Sequence, residues 1–222
     1  MEPRPALSPG RLAALYDRLG SFHDLDRVYI DPALVLLVAH ADFPNSRHVV
    51  EIGLGTGRFA ERLLREVLPA DSSYLGFDLS RVMVGLASDR LAKFGARACV
   101  RQSDVVLSRT TVESASCDRF IATYVLNVLD DQRIDEVLES ARRVLRPGGL
   151  LCLANMVPGT SVLGRLVVPA WHAIYALRAE LLGGCRLIRF ASKLAAERWE
   201  ILTQRDVSWI GLTSEVIVAR AV

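Results

Sequence analysis

The chain has 222 residues, of which 51% are hydrophobic, and this content fits one domain with a full core better than two domains. Its formal net charge of +2, with basic residues scattered among acids, argues against a nucleic-acid partner. Four cysteines lie far apart without a CxxC pair, so neither a zinc site nor a disulfide framework is predicted. No segment reaches the roughly 18 apolar residues of a membrane span and no signal peptide is visible, which predicts a cytoplasmic protein.

Short β-rich runs alternate with amphipathic helical patterns through the middle of the chain, after a helical segment that ends at about residue 46. This alternation is typical of βαβ units and predicts a three-layer α/β sandwich, in which helices cover both faces of a mostly parallel sheet. The last two β-rich runs are joined by so short a link that only an antiparallel hairpin fits. The seven predicted strands span 48–53, 73–78, 96–102, 117–126, 150–157, 199–209 and 213–220.

The first predicted strand runs into a glycine-rich loop, "VVEIGLGTGRF", that leads into a helical pattern. Such a loop directs backbone N–H groups and the positive end of the helix at a ligand, so we expect a nucleotide-like cofactor here. The dinucleotide fingerprint GxGxxG would need glycine at position 58, where Arg58 stands. The spacing is instead GxGxG, formed by Gly53, Gly55 and Gly57, and Glu51 precedes it.

With this motif the sequence resembles the class I S-adenosylmethionine-dependent methyltransferases, whose first motif is an acid followed by GxGxG. The resemblance covers about residues 47–155 and the C-terminal hairpin, and it implies a Rossmann-like fold. It also implies that S-adenosylmethionine packs on the backbone of Gly53, Gly55 and Gly57, with Glu51 near the amino end of the cofactor. "YDR" and "LLGGCR" resemble, more loosely, the small UbiE-like and phosphatidylethanolamine-type methyltransferases.

The same resemblance assigns the rest of the cofactor site. In "GFDLSRVM", Asp78 is expected to accept both ribose hydroxyls, with Leu79 beside it. The alternative role for Asp78 is a helix cap, for which Ser80 is better placed. In "VRQSDVV", the pair Ser103 and Asp104 is expected to meet the adenine amino group, and the alternative is an ordinary turn acid.

The fourth predicted strand ends in "ATYVLN", which in this family faces the transferable methyl group. Thr123, Tyr124 and Asn127 are therefore candidates for the floor of the site, and Tyr124 for a cofactor contact. The run Asp/Asn-Pro-Pro-aromatic that the family uses for amide and nucleobase nitrogen is absent, which argues against those acceptors. The metal-ligand clusters of catechol methyltransferases are also absent, so no metal is expected.

Methyl transfer from a sulfonium is an in-line displacement, in which the protein mainly aligns the reactants. A modest base would help if the acceptor is a thiol, a phenol or an acidic carbon. The candidates are His172, Tyr175, Tyr16 and His23. For each of them the alternative is a packing role.

The predicted organisation is one methyltransferase domain: a helical cap (1–46), a cofactor-binding core (47–157), an acceptor-side lid or helical insertion (158–198) and the hairpin (199–222). The cap and the insertion are unusually apolar, which favours a quinone-like, phenol, thiol or lipid-headgroup acceptor and permits peripheral membrane contact through nearby arginines. The alternative for the insertion is a helix buried on the sheet. The alternative functions are a non-catalytic S-adenosylmethionine-binding accessory protein and a nicotinamide-dependent oxidoreductase.

Overall fold

The computed structural model describes residues 6–20, 27–108, 110–159, 161–195, 197–209 and 211–222. In these ranges, seven strands form a single sheet between two layers of helices. Strands β1 to β7 span His48–Ile52, Ser73–Asp78, Ala98–Gln102, Cys117–Thr123, Leu145–Val157, Trp199–Trp209 and Leu212–Ala221. Helices α1 to α6 span Pro9–Leu19, Arg27–His40, Arg58–Glu66, Arg81–Leu91, Asp131–Val144 and Gly164–Arg178.

The strand order is β3-β2-β1-β4-β5-β7-β6. Strands β1 to β5 pair in parallel, whereas β7 runs antiparallel to both β5 and β6. The α/β class and the antiparallel C-terminal hairpin are thus confirmed. Because the strand order reverses direction between β1 and β4, their carboxyl ends diverge into a crevice of the kind in which α/β proteins bind ligands.

Each face of the sheet has its own hydrophobic core. Val50 and Ile52 of β1 point to the face covered by α5, and Val49 points to the face covered by α2, α3 and α4. A parallel strand that is buried on both sides reads as a continuous apolar run, as the sequence of β1 does. The central strands therefore form a rigid platform for the loops at their carboxyl ends.

Three predicted strand boundaries differ from the structure by two residues or more. β3 starts at Ala98, because residues 92–97 form a short 3-10 helix. β4 ends at Thr123 and not at 126, because Tyr124 adopts a left-handed backbone conformation with φ of 59°. β5 starts five residues earlier than predicted, where Leu145 pairs with Cys117.

The alternative of α6 as a core helix is wrong. Of its residues, Gly164 and Tyr175 are buried, while most of the others are exposed or half-buried. None of the helices in the described ranges is long and apolar enough to cross a bilayer.

Candidate functional site

A cavity of about 550 Å³ lies at the carboxyl ends of β1, β2 and β4, in the crevice that the topology creates. This volume falls within the roughly 300–1,000 Å³ that small-molecule sites occupy. Gly53, Gly55, Asp78 and Thr123 line its floor at the strand ends. Helix α1 and the segment 181–185 close it from the outer side.

The two first glycines of the loop are needed for different reasons. Both have a left-handed backbone conformation, with φ of 65° at Gly53 and 58° at Gly55, which residues other than glycine rarely adopt. A Cβ on Gly53 would lie 2.5 Å from the Cβ of Val125, whereas one on Gly55 would meet no protein atom within 4 Å. Gly53 therefore permits close packing of β1 against β4, and Gly55 leaves space open in the cavity.

Asp78 fastens the glycine loop to the end of β2. Its Oδ2 accepts the N–H of Gly55 at 2.8 Å, and its Oδ1 accepts the N–H of Ser80 at 2.9 Å. Ser80 is the N-cap of α4, since its Oγ accepts the N–H of Met83 at 3.1 Å. Asp78 and its neighbour Leu79 both line the cavity.

Glu51 lies behind the glycine loop and is not part of the cavity lining. Its side chain is 1% exposed, and its Oε2 accepts the hydroxyl of Tyr74 at 2.6 Å. Burial raises the pKa of Glu51 to about 8; the Tyr74 hydrogen bond opposes this shift, and the nearby Asp78 carboxylate adds to it. A cation placed at this end of the site would reverse the shift.

Asp104 lines the cavity beyond β3 and forms an ion pair with Arg133, which also lines it. Ser103 does not reach the lining; its N–H donates to the carbonyl of Asp78 at 3.0 Å and holds the loop in place. Arg133, in the first turn of α5, was not recognised from the sequence, where nothing marks it among the many surface arginines. Its guanidinium fixes the carboxylate at the edge of the site.

Tyr124 lines the cavity at the end of β4 in a strained conformation, because a left-handed backbone is rare for an aromatic residue. Its N–H donates to the carbonyl of Ala154 at 2.7 Å, and its hydroxyl shares a 2.9 Å hydrogen bond with Ser214 Oγ. These bonds to β5 and β7 hold the strained residue. Thr123 also lines the cavity, as expected.

Asn127 is not part of the floor. It is fully buried, and its Nδ2 donates to the carbonyls of Met156 at 2.7 Å and Arg186 at 2.6 Å. Its Oδ1 accepts the N–H of Met156 at 2.9 Å. Asn127 therefore ties the turn after β4 to β5 and to the segment that closes the cavity.

Of the four candidate bases, the structure brings Tyr16 to the cavity, where its hydroxyl donates to the carbonyl of Gly183 at 3.3 Å. His172 is exposed on α6 and does not line the cavity. Tyr175 is buried away from the lining; burial raises its pKa, and its hydroxyl has no hydrogen-bond partner among the described residues. His23 lies outside the described residues.

The outer half of the cavity is apolar, and most of its residues were not recognised individually from the sequence. Trp171 is fixed by its Nε1, which donates to the carbonyl of Cys185 at 2.9 Å. Burial raises the pKa of Cys185 to about 12, so its thiol stays protonated. The apolar half is formed by Leu7, Leu12, Ala13, Val128, Leu129, Met156, Trp171, Leu181, Leu182 and Cys185.

Helix α1 is held over the cavity at both of its ends. Asp17 accepts the hydroxyl of Ser80 at 2.5 Å and the N–H of Val82 at 3.3 Å, which joins α1 to the start of α4. Arg11 forms an ion pair with Glu180, which joins α1 to the segment after α6. The outer wall of the cavity is thus built from two parts of the chain that lie far apart in the sequence.

The part of the chain that carries the polar half of this cavity is similar to known proteins. A family model described as a methyltransferase domain matches residues 49–149, the part of the chain that contains the glycine loop, Asp78 and Asp104. Residues 49–149 are a methyltransferase domain of the class I S-adenosylmethionine-dependent type. The cofactor of such domains is S-adenosylmethionine, which becomes S-adenosylhomocysteine when its methyl group is transferred. The match ends before α6 and begins after α1, so it does not include the outer wall of the cavity.

Three similar proteins illustrate how widely this methyltransferase fold is used. A highly reducing polyketide synthase of Aspergillus aculeatus is 27% identical over 174 residues, which are 74% of this chain but 6% of that protein. The chain thus spans a small part of this much longer relative. The [4+2]-cyclase SpnF has a TM-score of 0.73 at 17% identity, covering 99% of this chain and 98% of its own.

The third is the Burkholderia thailandensis 1,6-didemethyltoxoflavin-N1-methyltransferase, solved with its acceptor and S-adenosylhomocysteine. It has a TM-score of 0.68 at 18% identity and covers 99% and 93% of the two chains. None of the three is named as a quinone or phosphatidylethanolamine methyltransferase. The narrower resemblance to that subgroup therefore stays a prediction.

Proposed function

We propose that this chain transfers a methyl group from S-adenosylmethionine to a small acceptor that is apolar or amphipathic. The observation that carries the proposal is the division of the cavity into two halves. Gly55, Asp78 and Asp104 form a polar inner half, and the outer half is lined by aliphatic side chains, Trp171 and Cys185. Thr123 and Tyr124 lie at the end of β4, the end that in this family faces the transferred methyl group.

In the proposed complex, the ribose hydroxyls donate to Asp78 and the adenine amino group donates to Asp104. The support for this arrangement is that both carboxylates face the cavity while backbone amides or Arg133 hold them in place. The ammonium group of the methionine part lies near Glu51, directly or through water. That charge would stabilise the ionised form of a carboxyl group whose burial otherwise favours the protonated form.

The site is built for alignment rather than for removing a proton. Each acid of the lining is held by a partner. Asp78 accepts two backbone amides, and Asp104 pairs with the guanidinium of Arg133. Asp130 is the N-cap of α5 and accepts the backbone N–H of Arg133 at 2.9 Å. Holding the sulfonium and the nucleophile in line lowers the barrier without a dedicated base. We therefore propose an acceptor whose nucleophile forms easily, such as the enol of a carbon between two carbonyl groups.

The similarity to a polyketide synthase over 74% of the chain favours an acyl chain of the polyketide kind over a quinone or a lipid headgroup. Such a chain matches the apolar half of the cavity, which offers aliphatic walls to an alkyl tail. The nucleophilic carbon between its two carbonyl groups would lie next to Tyr124, at the boundary of the two halves of the cavity. The proposal thus assigns each half of the cavity to one reactant.

The test is transfer of label from methyl-tritiated S-adenosylmethionine to a series of β-ketoacyl thioesters of increasing chain length. Each added CH₂ that becomes buried contributes about 0.8 kcal/mol, so kcat/KM should rise about fourfold per CH₂ until the apolar half is full. Leu182→Ala should reduce this gain, because Leu182 lines the apolar half. Leu202→Ala, at an exposed position on β6, is the matched control and should leave it unchanged.

Other outcomes separate the alternatives. A rate that does not depend on chain length would contradict the apolar acceptor. So would an incubation with a cell extract in which the label from S-adenosylmethionine appears only in compounds of the aqueous phase. Tight binding of S-adenosylhomocysteine by calorimetry without transfer to any member of the series would favour the accessory-protein alternative.

A further inference from the structure

Helix α6 and its ends present aliphatic side chains to solvent. Leu166 and Leu177 are 71% and 75% exposed, although hydrophobic side chains of this size are usually buried. At 100° per residue these two leucines lie on the same side of the helix, opposite the buried Gly164 and Tyr175. We call this surface the α6 face; its members are Val162, Leu163, Leu166, Ile174, Leu177 and Leu181, each at least 40% exposed.

Positive charge borders the α6 face. Arg165 and Arg178 lie roughly 100° to either side of Leu166 around the helix axis. Both are exposed, and neither forms an ion pair within the described part of the chain. Residues 158–179 contain no aspartate or glutamate. The face therefore combines an aliphatic centre with uncompensated cationic edges.

We infer that the α6 face docks this protein onto an anionic lipid surface. A helix that lies in a bilayer interface has this arrangement, with aliphatic side chains directed into the acyl region and arginines at the level of the headgroups. At 15 residues, α6 matches a helix that lies along the surface and is too short to cross it.

A second copy of the chain fits the face less well. In a two-fold dimer the same patch meets itself, so arginines from both copies would come together with no acid on the face to pair with them. A protein partner is also disfavoured by composition, because protein interfaces are enriched in tyrosine, tryptophan and methionine, and the α6 face contains leucine, isoleucine and valine only. A lipid surface demands no shape complementarity from such a convex helix.

Leu181 connects the face to the cavity, because it lines the cavity and is also 70% exposed. An acceptor dissolved in the bilayer would reach the apolar half of the cavity along this residue without crossing water. This role for the face rests on the proposed function. Docking itself does not, and it is measured without any methyl transfer.

The test is flotation of the full chain with vesicles of phosphatidylcholine alone and of phosphatidylcholine mixed with phosphatidylglycerol. We expect binding to the mixed vesicles and weaker binding to the neutral ones. Leu166→Gln combined with Leu177→Gln should lower the partition coefficient at least about tenfold, since burying one leucine alone is worth about that factor. Arg165→Gln and Arg178→Gln should each lower it about fivefold, and only on the anionic vesicles.

Matched controls lie elsewhere on the surface. Leu202→Gln on β6 and Arg205→Gln on the same strand replace an exposed leucine and an exposed arginine and should leave binding unchanged. No flotation with either vesicle, or equal flotation of the leucine variant and the wild type, would overturn the inference. A dimer that the leucine variant abolishes, without vesicle binding, would assign the face to a second copy. Calorimetric binding of S-adenosylhomocysteine shows in each case whether the cofactor site is intact.

Discussion

The glycine loop allows a sharp separation of folding from cofactor binding, because two glycines two residues apart face different surroundings. Gly53→Ala places a Cβ 2.5 Å from the Cβ of Val125 in a left-handed conformation. The conformation costs about 1–2 kcal/mol and the overpacking about 1–3 kcal/mol. With a combined loss of about 3 kcal/mol, Tm should fall by roughly 6 to 12 °C in a chain of this size.

Gly55→Ala has the same conformational cost but no clash, since its Cβ would meet no protein atom within 4 Å. We expect a loss of about 1–2 kcal/mol and a fall in Tm of roughly 2 to 8 °C. The added methyl group enters the part of the cavity where we propose that the cofactor packs, so affinity for S-adenosylhomocysteine should fall by about tenfold or more. Gly53→Ala therefore mainly lowers stability, and Gly55→Ala mainly lowers affinity.

The measurements are thermal unfolding without ligand and calorimetric titration with S-adenosylhomocysteine. Gly85→Ala is the control, because Gly85 lies exposed inside α4 with a free Cβ position; it should raise stability by about 0.5–1 kcal/mol and leave binding unchanged. If Gly55→Ala binds the ligand like the wild type, the cofactor does not pack against this loop. If Gly53→Ala is no less stable than Gly55→Ala, the close approach of Val125 is refuted.

Three further predictions address single side chains. The folded-state pKa of Glu51 is raised from 4.5 to about 8, so its contribution to the stability of the ligand-free protein is complete below pH 4.5 and is lost as the pH rises towards 8. In the Glu51→Gln variant, the free energy of unfolding should not show this dependence on pH. Calorimetry in buffers of different ionisation enthalpy should show that the wild type releases a proton when it binds S-adenosylmethionine at neutral pH. The variant should release none. Asp78→Asn should weaken binding of S-adenosylhomocysteine by about 1.5–3 kcal/mol, and an unchanged calorimetric affinity would refute the ribose contact. Asn127→Ala removes three hydrogen bonds to the backbone, although the Met156 carbonyl keeps the N–H of Ile188 at 3.3 Å as a partner. The change should cost about 2 kcal/mol or more in denaturant unfolding, whereas an effect below 1 kcal/mol would show that water replaces the amide.

The central strands were predictable because their signals are local. β2 was predicted to the residue, since an apolar run at 73–78 is bounded by turn residues and a helix cap. The end of β4 was not, because "ATYVLN" continues the strand pattern, whereas the left-handed backbone of Tyr124 is held by hydrogen bonds to β5 and β7. Strand ends that depend on distant partners carry no such local signal.

The residues of the site also divide into those with a local sequence signal and those whose position depends on distant partners. Gly55 and Asp78 could be placed because a strand end fixes their position relative to the sheet, and both line the cavity. Asn127 and His172 could not, because the direction of a side chain in a turn or on a helix depends on what packs against it. An apolar segment such as α6 has the same composition whether it is core or surface, and the sequence alone left both possibilities open.

The apolar half of the cavity is closed by two segments that contact each other. The family model covers residues 49–149, whereas the outer wall comes from α1 before that range and from residues 181–185 after it. These segments meet through the Arg11–Glu180 ion pair and the hydrogen bond from Tyr16 to the carbonyl of Gly183. Because the wall residues contact each other as well as the cavity, a substitution that reshapes one segment also shifts the other. Under the proposed function, a change of acceptor therefore requires paired substitutions in both segments, while the polar half of the cavity, built on strand ends, can stay as it is.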